Sequence, residues 1–124
     1  MASDLFKLRV TARAEDIDDL EHVSNIVYVR WMQDAAVAHS TRVGWSRDAY
    51  LAAAGVFVAR RHEIDYLASA VQGDEVEIET WVDSFTAVTS VRKYRMVRLS
   101  DQRELVRAQT TWAFVSTVTV PQPS

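Results

Sequence analysis

From Asn25 to Val43 the chain reads "NIVYVRWMQDAAVAHSTRV", and no other stretch limits its fold so strongly. Tyr28, Met32, Ala35, Ala36, His39 and Val43 recur at helical spacing on one face, and Val27, Val29, Trp31 and Val37 carry the apolar surface round most of the circumference. Ser24 is a capping residue type at the start, and Gly44 supplies a stop. The helix would be about 30 Å long at 1.5 Å per residue, and it has to be buried rather than laid on a surface. The small Ala35, Ala36 and Ala38 let another element approach closely.

What can bury it is set by the rest of the chain, where the period changes from helical to alternating. "LFKLRVTAR" (5–13) reads as a first strand, and "SRDAYLAAAG" (46–55) as a short second helix ending at Gly55. "VFVARRHEIDYL" (56–67), "EVEIETWVDSF" (75–85), "SVRKYRMVRL" (90–99) and "ELVRAQTTWAFVSTVTV" (104–120) read as four further strands, separated by turn signals at "QGD" and "SDQR". Val76, Ile78, Thr80 and Val82 alternate with Glu75, Glu77, Glu79, Trp81 and Asp83, so one face of that strand is apolar. Helices segregated from a run of antiparallel strands define an α+β domain, and only the sheet is left to wrap the helix. The reading is one domain over residues 1–120, with "PQPS" (121–124) a disordered tail. Such a sheet leaves edges exposed, so a homodimer or homotetramer is expected.

With 124 residues, 48% of them hydrophobic, the chain can bury a real core. Fourteen basic against seventeen acidic residues give a net charge of -3, which argues against nucleic acid as the main partner. The absence of cysteine removes disulfides, thiolate metal sites and cysteine nucleophiles. "MASDLFKLRV" lacks the charge and apolar pattern of a secretion signal, and Arg30, Asp34 and Arg60 interrupt the longest apolar runs, so no membrane partner and a cytoplasmic location are expected. "DIDDLE" has Leu20 and Glu21 where a calcium loop needs an oxygen ligand and a glycine. "HEIDY" lacks the second histidine of a zinc helix, "GWSRD" is not a nucleophile elbow, and three glycines build no phosphate loop. Neither a metal nor an organic cofactor is expected.

The remaining candidate is "DIDDLEHVSNIVYVRW" (16–31). A carboxylate beside a helix N-terminus is held ionised by unpaired amides and the helix dipole, and so can serve as a base or nucleophile. The same amides can polarise a carbonyl oxygen and hold the oxyanion formed on attack. Asp18 can supply the first function, and the N–H of Asn25 or Ile26 the second. The structural readings stand beside these: acidic residues often precede helices, His22 can be a loop hydrogen-bonder, Asn25 a helix-start residue, and Tyr28 and Trp31 core aromatics. His39 and His62 read as structural.

These residues also carry a family pattern. "DIDDLEHVSNIVYVRWMQDA" resembles the opening of 4-hydroxybenzoyl-CoA thioesterase-like proteins of the hotdog fold, approximately D-x-D-x-x-G-H-V-N-N-x-x-Y-x-x-W/Y. Asp16, Asp18, His22, Val23, Asn25, Tyr28 and Trp31 fall in register, and "IDYLASAVQGDEVEIETWV" is similar to the family's I-x-Y-x-x-P-x-x-x-G-D segment. The resemblance implies a long helix wrapped by a five-stranded antiparallel sheet, subunits joined into a continuous sheet, and active sites at the subunit interface. It implies hydrolysis of an acyl-CoA or acyl-carrier-protein thioester, with Asp18 attacking the carbonyl or activating water and the amide near Asn25 polarising that carbonyl. On this reading His22 joins Asp18 and Asn25 as a catalytic candidate, and Tyr28, Arg60 and Arg61 are candidate substrate contacts, the arginines toward CoA phosphates. Arg92 and Lys93 are further phosphate candidates. Glu21 stands in place of the motif's glycine and Ser24 in place of its first asparagine. A non-catalytic domain that binds acyl thioesters is the alternative that Glu21 keeps open.

Overall fold

A computed structural model describes residues 5–44 and 54–116. Strand β1 (Phe6–Thr11) leads through a 3-10 turn (Ala14–Asp16) to helix α1 (Asn25–Arg42). Four strands follow: β2 (Gly55–Tyr66), β3 (Glu75–Phe85), β4 (Thr89–Arg98) and β5 (Arg103–Ser116). All five strands join one antiparallel sheet in the order β1-β3-β4-β5-β2. The two edges are therefore β1 and β2, on either side of the connection that carries the helix.

The alternation of β3 does what its sequence implies. Val76, Ile78 and Thr80 are buried with Met96 and Tyr94 of β4 and Val106 of β5, against Val27, Tyr28, Trp31, Met32, Ala35 and Ala36 of α1. On the opposite face Glu77 and Glu79 pair with Lys7 and Arg9 of β1, and Arg95 of β4 reaches Glu79 at 3.0 Å. Solvent-facing, partly exposed pairs of this kind contribute on the order of 1 kcal/mol each, so burial under the helix decides which way the sheet faces.

Three sequence expectations need adjustment. The helix is buried on the sheet side alone: Ile26 and Val37 are 75% and 63% exposed, and Val43 lies beyond the helix end and is also exposed. One sheet can cover only one side of a helix. Arg92 is not a surface residue, because β4 is an interior strand and Arg92 points to its helix side, where Nη1 contacts Nδ1 of His39 at 2.8 Å and donates to Thr80 Oγ1 at 3.2 Å. Ser24 occupies the N-cap position of α1 with extended backbone, but its side chain makes no capping hydrogen bond.

The short helix expected over 46–55 falls largely on residues outside those described, as do the end of the last expected strand and the tail at 121–124. Gly44 closes α1 with φ of 101°, the left-handed conformation that favours glycine. Gly55 opens β2 against the ring of Phe114, where a Cβ would come within 2.2 Å of Cζ. No described helix is long and apolar enough to cross a membrane.

Candidate functional site

The acidic segment before α1 folds into a miniature hairpin. Ile17 and Val23 form an isolated antiparallel bridge, Ser24 N donates to Asp16 O at 3.0 Å, and Asp18 N donates to His22 O at 2.8 Å. At the tip, Glu21 N donates to Asp18 O at 3.0 Å. Glu21 has φ of 62°, so the left-handed backbone that favours glycine is held here by a residue with a side chain.

Asp18 sits on this tip, exposed. Its Oδ1 accepts from Leu20 N at 2.9 Å and from His22 N at 3.4 Å. Among the described residues none donates to Oδ2. One carboxylate oxygen thus fixes the exposed side chain to its own turn, and the other is left without a donor among the described residues. His22 contributes its main chain to the turn, and its ring is exposed.

The chain passes directly from this hairpin into α1. Val27 N donates to Ser24 O at 2.9 Å, which starts the helix. The amides of Asn25 and Ile26 lie ahead of that bond, where the helix offers no acceptor of its own and Ser24 provides no side-chain cap. They are the donors through which the helix dipole acts on a bound group.

The hairpin is tied down at its base. Asp16 is 3% exposed, and its carboxylate accepts from Arg13 N at 3.0 Å and from Arg30 Nη2, on α1, at 2.7 Å. Burial alone would raise its pKa, but the Arg13 amide and the Arg30 guanidinium outweigh it and hold the carboxyl below its ordinary value. Val23 N donates to Ala70 O at 2.9 Å, and Ala70 N in turn donates to the hydroxyl of Tyr28 at 2.9 Å.

Tyr28 is accordingly buried, 2% exposed, with its hydroxyl committed to the segment after β2 and its pKa raised by that burial. Tyr66, at the end of β2, packs edge-on against Tyr28 with ring centroids 5.8 Å apart and donates its hydroxyl to Asn25 O at 3.4 Å. Partly exposed beside the helix N-terminus, Tyr66 joins the candidate site although the residue-by-residue reading did not select it. The signal for it is the "IDY" of the second motif. Leu20 and Ile26, both about three-quarters exposed, give this end an apolar surface.

Arg60 and Arg61 are not brought to this site within the chain. Arg60 is the extra residue of a β-bulge between Ala59 and Arg61 in edge strand β2, and both arginines are exposed. They lie roughly 17–20 Å along the strand from Tyr66 at 3.3 Å per residue. Arg61 pairs with Glu63 at 2.8 Å. A cavity of about 500 Å³ on the sheet's charged face, lined by Glu63, Asp65, Trp81, Lys93, Arg95, Arg107 and Gln109 among others, contains no residue of the hairpin.

The model of the thioesterase-like superfamily matches residues 12–123, nearly the whole chain and both motif segments. The chain belongs to that superfamily. Solved structures agree on the fold. A 1,4-dihydroxy-2-naphthoyl-CoA thioesterase from Synechocystis superposes with a TM-score of 0.85 at 17% identity, over 97% of this chain and 90% of that one. An acyl-ACP thioesterase from Bacteroides thetaiotaomicron superposes with a TM-score of 0.85 at 16% identity over 91% of this chain, which spans only 46% of that protein. A Staphylococcus aureus protein solved in complex with CoA gives 0.86 at 15% identity, over 94% of this chain and 73% of that one. A search of curated proteins by sequence finds no match. The architecture is the hotdog fold, one helix packed on a five-stranded antiparallel sheet.

Proposed function

We propose that this superfamily member hydrolyses an acyl thioester of coenzyme A or of an acyl carrier protein. One observation carries the reading: an exposed carboxylate, with one oxygen pinned and the other without a donor among the described residues, sits on a hydrogen-bonded tip that leads into helix amides lacking a side-chain cap. The amide of Asn25 accepts no competing role inside the helix and suits the thioester oxygen, where negative charge develops on attack. Asp18 either attacks the carbonyl carbon through Oδ2, expelling the thiolate and leaving a mixed anhydride for water to cleave, or takes a proton from the water that attacks. Both routes release a free acid and a thiol. His22 stands beside Asp18 as a candidate to orient the leaving group or water.

The apolar Leu20 and Ile26 suit an acyl group or the surface of a second subunit. Tyr28 supports the site from inside, through Ala70, and Tyr66 has the exposed ring beside Asn25. Arg60 and Arg61 serve a CoA phosphate in this account only across a subunit boundary, which the free edge of β2 would allow in a homodimer or homotetramer. The CoA and acyl-carrier-protein thioesterases among the similar structures support the substrate class. A cytoplasmic location fits such a substrate.

The test is a panel of acyl-CoA and acyl-carrier-protein thioesters, aromatic and aliphatic, with thiol release followed for the purified chain. Turnover of at least one class is expected. Tight binding of several thioesters with no release over hours would overturn the reading in favour of a non-catalytic binding domain.

A further inference from the structure

The proposed mechanism uses Asp18 and leaves unexplained why a second carboxylate two residues earlier is buried. The Asp16 carboxylate shares no hydrogen-bond donor with that of Asp18. It sits instead where three pieces of chain meet. Its carboxylate accepts from the Arg13 amide at 3.0 Å and from the Arg30 guanidinium at 2.7 Å, and its carbonyl accepts from Ser24 N at 3.0 Å. Arg13 ends the lead from β1, Arg30 belongs to α1, and Ser24 is the residue from which α1 starts.

The tip is fixed separately, by the bonds from Leu20 and His22 to Asp18 Oδ1. Those bonds hold Asp18 to its own turn but say nothing about where that turn lies relative to the helix. The orientation of the tip against the Asn25 and Ile26 amides is set at the base, and the side-chain link across that base is Asp16 to Arg30. Arg30 is about half exposed, whereas Asp16 is almost fully enclosed, so the ion pair has one face in a low-dielectric setting where geometry is held tightly.

From this geometry we infer that Asp16 and Arg30 are a positioning pair: they hold the hairpin that carries Asp18 at a fixed distance and angle from the N-terminal amides of α1. Attack on a carbonyl polarised by those amides depends on that alignment. Displacements on the scale of 1 Å between reacting groups cost on the order of 100-fold in rate. The inference rests on the thioesterase reading for its consequence in catalysis, and on the hydrogen bonds of Asp16 alone for its structural content.

Asp16→Asn keeps an oxygen for the Arg13 amide and removes the charge that holds Arg30. Arg30→Met removes the cation and keeps the stem. Each is expected to lower kcat at least tenfold on the best thioester while KM stays within about twofold. The double variant is expected to be no slower than the slower single, because both break one link. Full kcat in Asp16→Asn, or losses that multiply in the double variant, would overturn the pairing.

A second readout does not depend on turnover. Amide hydrogen exchange in Asp16→Asn should speed up at Leu20, His22 and Ser24 and remain unchanged at Met32 and Ala35 in the middle of α1. Unchanged exchange across the hairpin would refute the positioning role even if activity fell. If no thioester is hydrolysed by the unsubstituted chain but the hairpin amides respond as described, the proposed function fails and the positioning pair stands.

Discussion

Arg92 of β4 places Nη1 2.8 Å from Nδ1 of His39 on α1, in the interior between helix and sheet. Arginine is a donor only, so His39 accepts at Nδ1 and carries its own proton on Nε2. The ring also stacks on Phe6 of β1 with centroids 5.1 Å apart, and the Arg42 guanidinium carbon lies over the Phe6 ring at 5.8 Å from its centroid. Edge strand, interior strand and the C-terminal half of the helix are joined at this point.

Removing either member of the contact leaves a buried polar group of the other without that partner, a loss of about 1–3 kcal/mol. Arg92→Met and His39→Leu should each destabilise the chain by that amount in denaturant unfolding. The double variant should lose less than the two singles added together. Strict additivity would show that the two side chains act independently.

Acid should weaken the fold through a definable set of groups. Asp101 is held at about 2 by the hydrogen bond from Arg98, and Asp16 and Glu104 are also lowered, each by arginine contacts that outweigh the effect of burial. For carboxyls whose folded pKa is depressed, the stabilisation is complete above the unfolded value near 4 and is lost as pH falls through the folded value. The part of the unfolding free energy that these carboxyls contribute should therefore be flat above about pH 5 and fall between about pH 4 and pH 2. The fall should be shallower in Asp16→Asn. An equally steep fall in that variant would assign the acid sensitivity elsewhere.

Much of this architecture is legible in the sequence, for a physical reason. Strands β3 and β4 were readable almost to the residue because alternating burial writes a period of two, and α1 because Gly44 and Ser24 bracket an apolar helical run. Burial of Arg92 was not readable. Its strand position follows from sheet order, and the order β1-β3-β4-β5-β2 is a non-local property that no local pattern reports. The site divides the same way. Asp18 and the helix start can be proposed together because they are adjacent in sequence, whereas Tyr66 reaches Asn25, and Tyr28 reaches Ala70, across about 40 residues.

Tyr28 separates a structural from a binding role. Tyr28→Phe keeps the ring and deletes the acceptor for the buried Ala70 amide. It should cost about 1–3 kcal/mol of stability. Because Ala70 also holds Val23, exchange at the Val23 amide should rise as well. Unaltered stability together with a raised KM would instead place the hydroxyl at the substrate.

Glu21 holds a left-handed backbone with an ordinary L side chain, at a cost of about 1–2 kcal/mol relative to glycine in that conformation. Glu21→Gly should raise stability by up to about 1 kcal/mol, the gain being reduced by the greater freedom of glycine in the unfolded chain. Thioester turnover should persist in that variant. Loss of turnover with the fold intact would make the Glu21 carboxylate part of the chemistry.

Asp18→Asn tests the central claim most directly. The amide oxygen can still accept from Leu20 and His22, so the turn and the unfolding midpoint should be preserved while the second oxygen is replaced by a nitrogen that can neither attack nor take a proton. Measured on the best substrate of the thioester panel, kcat/KM should fall at least 100-fold, in the range that nucleophile or general-base loss produces. Retention of the original kcat/KM by a folded Asp18→Asn protein would contradict the assignment of Asp18 to the reaction.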